Sequence, residues 1–92
     1  MVYLITYDLN KTGQNYENVI AAIKSASTGV WCSFWKSSWL IKSNLSTASE
    51  VFAKIEPYVD SNDRIIVVEA RDNKQGYLSK EEWDYISNQI FG

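Results

Sequence analysis

Apolar residues recur along this chain with two periods, one suited to strands and one to helices. The first run is Met1 to Asn10, M-V-Y-L-I-T-Y-D-L-N. In an extended chain Val2, Leu4, Thr6 and Asp8 project to one side and Tyr3, Ile5, Tyr7 and Leu9 to the other. Both sides are mostly apolar, which predicts a strand inside a sheet covered on both faces. The run stops at Asp8 and gives way to Asn10-Lys11-Thr12-Gly13, a polar loop. From Gln14 to Ser27, Tyr16, Val19, Ile20 and Ile23 recur at helical spacing, with Asn15 placed to cap and Thr28-Gly29 placed to stop the helix.

Val30 to Trp35 and Ser38 to Lys42 are β-rich runs separated by Lys36-Ser37, which predicts a hairpin. No Asn-Gly or Asp-Gly fixes its turn, so the register stays open and Trp35 falls either in the strand or in the loop. Ser46 to Val59 reads as a second helix, with Thr47 and Glu50 spaced as a capping box and Val51, Phe52, Ile55, Tyr58 and Val59 forming an apolar stripe. Pro57 sits near its end. After the polar turn Asp60-Ser61-Asn62-Asp63, Arg64 to Ala70 is again almost wholly apolar and is expected to be a central strand like the first. The loop Arg71 to Gly76 leads to a second capping box, Ser79 and Glu82, ahead of Trp83, Ile86 and Ile90 on a C-terminal helix.

The resulting order, βαββαβ with a helical tail, predicts an α+β fold: an antiparallel sheet with two helices on one face. That order places strands 1 and 3 in the centre if strand 4 pairs beside strand 1, whereas apolarity marks strands 1 and 4; strands 1, 3 and 4 are expected to be well buried. The other face needs a cover, which is either the extra C-terminal helix or a second copy of the chain. Without repeats, linkers or low-complexity segments, residues 1–92 form a single domain.

Composition narrows the chemistry. The chain has no histidine, which excludes Ser-His-Asp and Cys-His catalysis and the usual zinc sites. The lone Cys32 has no partner for an intramolecular disulfide. With no cleavable signal and no long apolar run, the expected location is the cytoplasm, with no membrane contact. A net charge of −2 gives no global attraction to nucleic acid, so any polyanion site must be local. Lys36 and Lys42 are candidates for phosphate contacts, and Trp31, Trp35 and Trp39, with Phe34 nearby, for a platform on which bases stack. The competing expectation buries these rings in the core or at a dimer contact. Asp60 to Asp63 and Asp72 to Gly76 lack the alternating ligands of a calcium loop and read as turns. Asp8, closing the first strand, either binds a cation or accepts hydrogen bonds from loop amides.

Val2-Tyr3-Leu4-Ile5-Thr6-Tyr7-Asp8-Leu9, Ser38-Trp39-Leu40-Ile41-Lys42 and Asp60-Ser61-Asn62-Asp63-Arg64 together resemble the small Cas2-like proteins, including their SinR-like phage and prophage relatives. The resemblance implies a ferredoxin-like fold, a homodimer and association with RNA or DNA. In its catalytic form it implies a divalent-metal-dependent nuclease in which Asp8 is the catalytic and metal-binding residue. One carboxylate makes a poor magnesium site; two Asp8 side chains meeting across a twofold axis would supply a better one for Mg²⁺ or Mn²⁺. The helical tail and the acidic composition depart from the family pattern. A second function class therefore stands beside the first: a non-catalytic module, such as a phage or prophage accessory factor, that binds a protein partner.

Overall fold

A computed structural model of the protein describes residues 1–10 and 16–92. The Lys11–Gly13 part of the first loop and the Asn15 cap lie outside the described residues. In chain order the elements are β1 (Val2–Asp8), α1 (Tyr16–Ala26), β2 (Trp31–Trp35), β3 (Ser38–Lys42), α2 (Ala48–Ile55), β4 (Arg64–Ala70) and α3 (Lys80–Tyr85). Glu56–Tyr58 forms a 3₁₀ turn after α2, where Pro57 occupies an early position that needs no donor, and Ile86–Ile90 continues α3 as a π-helical turn. The strands form one four-stranded sheet in the order β2-β3-β1-β4, with every neighbouring pair antiparallel. This small α+β architecture is compatible with a ferredoxin-like fold.

One expectation is corrected: β4 is an edge strand, whereas β1 and β3 are central. Its apolarity has another cause. Ile65 and Val67 are half-buried against the helical side, while Ile66 and Val68 stand exposed on the opposite side. Apolar residues on both sides of a strand therefore mark one packed face and one open patch, not burial between two neighbours.

The helical side holds the larger core. Tyr3, Ile5 and Tyr7 of β1 pack with Trp39 and Ile41 of β3, against Val19 and Ile23 of α1 and Val51 and Ile55 of α2. The polar tips of the buried rings are satisfied. Trp39 Nε1 donates to Tyr7 Oη at 3.2 Å and Tyr3 Oη to the Leu45 carbonyl at 2.7 Å. Gly29, at φ 104°, turns the chain out of α1 toward β2 in a conformation that costs an L side chain strain. Ser79 and Glu82 complete a reciprocal capping box on α3. At α2 the Thr47 hydroxyl accepts from the Glu50 amide, and Glu50 Oε1 receives Thr47 Oγ1 instead of the cap amide.

The second face is only partly covered. Ile86 and Ile90 of the C-terminal helical segment pack on Val2 and Cys32, with Leu40, Ala70, Leu78 and Phe91 around them. Tyr85 Oη donates to the Trp31 carbonyl at 3.0 Å and Lys42 Nζ to the Gly92 carbonyl at 2.8 Å, so the tail is tied to β2 and β3. That cover lies over the start of β1. Toward the end of β1 the face is open: Ile66 is 54% exposed and Val68 39%.

Candidate functional site

Asp8 closes β1 opposite Arg64 of β4, and the same register sets Thr6 beside Ile66 and Leu4 beside Val68. Directly opposed residues in an antiparallel pair share a face, so Asp8, Arg64 and the exposed aliphatic residues all lie on the open side. The Asp8 residue is exposed and, among the described residues, its carboxylate forms no hydrogen bond or ion pair. Among the described residues, a tether between the strand ends is made by another acid. Asp63 Oδ1 accepts from the Asn10 amide at 2.7 Å and Oδ2 from the Asp60 amide at 3.0 Å, joining the end of β1 to the turn before β4.

Trp35 reaches the open side through an irregularity. The β2–β3 register runs Cys32 to Leu40 and then Trp35 to Ser38, so Ser33 and Phe34 lie opposite Trp39 alone. The extra residue is a β-bulge. Regular alternation from Cys32 would turn Trp35 to the helical side; the bulge turns it to the side of Ser38 and Leu40. Trp35 and Phe34 are 38% and 39% exposed, with ring centroids 5.9 Å apart. Ser37, at φ 58°, makes the turn, and its carbonyl accepts from the Tyr7 amide at 3.1 Å. This contact brings the exposed Lys36 and Trp35 to the same end of the sheet as Asp8 and Arg64.

The proposed three-tryptophan platform does not form. Trp31 and Trp39 meet at a tilt of 51° with ring centroids 5.1 Å apart on the helical side, with Lys24 Nζ 4.5 Å from the Trp31 ring centre. Trp39 is buried because it faces α1 and α2; only Trp35, displaced by the bulge, and Phe34 remain outside. Lys42 stands at the far end of β3, engaged with the Gly92 carbonyl, and does not join Lys36 and Trp35. Arg64 is the member of the cluster that sequence reasoning missed, because the strand pairing that sets it beside Asp8 has no local signature.

Chemically, the site offers one carboxylate, two cations and an aromatic surface. No group of three or more His, Cys, Asp or Glu among the described residues is placed to hold a metal ion. A hard cation such as Mg²⁺ needs several oxygen ligands, and Asp8 of a single protomer does not fit that requirement. Cys32 is no nucleophile in waiting. Burial pushes its thiol up to about 11, assisted by Glu82 and opposed by the hydrogen bond to the Leu40 backbone. No helix among the described residues is long and apolar enough to cross a membrane. No protein-family model matches the chain, and no curated protein matches it.

Proposed function

We propose that this chain is a cytoplasmic, Cas2-like protein of ferredoxin-like fold that acts as a homodimer at nucleic acid, with the open sheet face as its twofold contact. The supporting observation is the position of Asp8 on the same face as exposed Ile66 and Val68. An apolar strip of this kind on a small domain is a natural self-association surface. Packing two such faces together brings the Asp8 ends of both protomers to one interface, while Trp35 and Lys36 stay at its margin for base stacking and phosphate contact. Only such a dimer offers Mg²⁺ or Mn²⁺ two carboxylates.

A specific feature favours the second reading, a non-catalytic interaction module. The cross-strand neighbour of Asp8 is Arg64, a cation where a metal site would gain from another acid. Two measurements separate the readings. Light scattering after size exclusion is expected to give the mass of a dimer for the parent and of a monomer for Ile66→Lys; a monomeric parent refutes the twofold contact. Incubation with labelled RNA and DNA in Mg²⁺ or Mn²⁺ at low salt then tests chemistry. Cleavage lost in Asp8→Asn supports the nuclease, binding without cleavage supports the non-catalytic form, and no binding removes nucleic acid from the proposal.

A further inference from the structure

The open face carries a second feature beside the proposed dimer strip. Between the sheet, segment 71–78 and the C-terminal helix lies a pocket of about 630 Å³. This is within the range of small-molecule sites. Its walls include Leu4, Leu40 and Val68 from three strands, with Trp35, Trp83 and Phe91 adding ring surface. Among the described residues, the only charged ones lining it are Arg71 and Lys74, although the chain as a whole carries a net charge of −2. The two cations differ. Lys74 lies 4.8 Å from the Phe91 ring centre and is paired with Asp72, so its charge is already balanced. Arg71 is exposed and, among the described residues, its guanidinium makes no hydrogen bond or ion pair.

We propose that this pocket binds a small apolar carboxylate, its ring or acyl body on the aliphatic and aromatic floor and its carboxylate on the Arg71 guanidinium. A single available cation suits a monoanion, because a second negative charge would stand unpaired beside an apolar wall. The planar guanidinium can take a carboxylate through two parallel hydrogen bonds. Leu4 and Val68 border both the pocket and the proposed dimer strip, so the test uses Ile66→Lys as well as the parent; Ile66 does not line the pocket. The outcome is thus independent of whether the chain dimerises.

Titration calorimetry and amide shift mapping would compare 2-naphthoate and octanoate with 2-naphthalenemethanol and 1-octanol. The expected result is saturable one-to-one binding, with shifts centred on Leu40, Val68 and Trp83. A carboxylate should bind about tenfold more tightly than its matched alcohol, the scale of one charged hydrogen-bonding contact. Arg71→Gln should erase that preference while leaving alcohol affinity and the circular dichroism spectrum unchanged. Val68→Trp, which fills the pocket, should remove binding of both classes. Equal affinity for acid and alcohol overturns the proposal, as does a preference retained in Arg71→Gln, shifts centred away from the pocket, or no saturation up to about 5 mM, which corresponds to roughly 3 kcal/mol of binding free energy.

Discussion

Ser43 is the one buried polar residue among those described, and its replacement by alanine should destabilise the fold out of proportion to the single oxygen removed. The hydroxyl donates to the Ala26 carbonyl at 2.6 Å and accepts from the Leu45 amide at 3.1 Å. Ala26 is the last residue of α1, so its carbonyl has no partner within the helix. The Ser43 backbone also meets Met1, its amide donating to the Met1 carbonyl at 2.8 Å and its carbonyl accepting the N-terminal ammonium at 3.1 Å. One residue thus joins the end of α1, the start of β1 and the exit from β3. Ser43→Ala strands a buried acceptor, at a cost of about 1–3 kcal/mol, whereas the half-buried Leu45 amide can recover part of its loss from water. The expected total is about 2 kcal/mol. For a domain of this size that corresponds to a fall in Tm of about 8–16 °C. Urea unfolding at constant m-value measures it, with Ser27→Ala as the comparison: Ser27 Oγ bonds the Lys24 carbonyl at 2.6 Å, but in an exposed position. Equal losses in the two variants, each below about 0.5 kcal/mol, would refute the reasoning, because buried and exposed acceptors would then have been equally well served by solvent.

Ile90→Ala removes a fully buried side chain from the C-terminal cover and should cost about 2–5 kcal/mol by urea unfolding; a loss below about 1 kcal/mol would mean that the tail is not an integral layer. Cys32 has a folded-state pKa of about 11 against an ordinary 9.0, and burial, with Glu69 and Glu50 nearby, raises Tyr3 above 10.0 in the same direction. Both groups favour the protonated folded state, so their contribution is complete below pH 9 and declines as pH rises through about 11. The urea midpoint should fall across that window, and less steeply in Cys32→Ala. Trp35→Ala should weaken single-stranded nucleic-acid binding by about 1–3 kcal/mol in a fluorescence anisotropy titration while barely changing the urea midpoint, since the ring is largely outside the core; unchanged affinity would remove Trp35 from the interface.

Local chemistry made much of the fold legible. The Ser79–Glu82 capping box, Gly29 after α1 and the span of β4 all follow from residues within a few positions of each other. Asp8 could be singled out because it interrupts an apolar run. What the chain did not disclose depends on pairing between distant segments. The edge position of β4 is set by which strand lies beside β1, and an apolar patch on an edge has the same alternation as a buried strand. Arg64 becomes part of the site only through the β1–β4 register, and Asp63 reaches the Asn10 amide because of where the two strand ends meet.

The bulge in β2 shows how a local defect decides what the open face can recognise. Without the extra residue, Phe34 would oppose Ser38 and Trp35 would follow the alternation toward the helical side, where Trp31 and Trp39 already fill the available space. With it, Trp35 opposes Ser38 and borders both the Asp8 end of the sheet and the pocket beneath segment 71–78. Bulges also increase strand twist and leave part of a ladder unpaired, which makes continuous edge pairing at β2 unfavourable. The opposite edge, β4, has no such irregularity in its register with β1 and carries exposed Ile66 and Val68. The sheet therefore has an aromatic edge suited to flat ligands and an aliphatic edge suited to a flat partner surface. On the proposed function, base stacking then belongs to the β2–β3 turn and self-association to the β1–β4 side, so Trp35→Ala and Ile66→Lys should impair different properties.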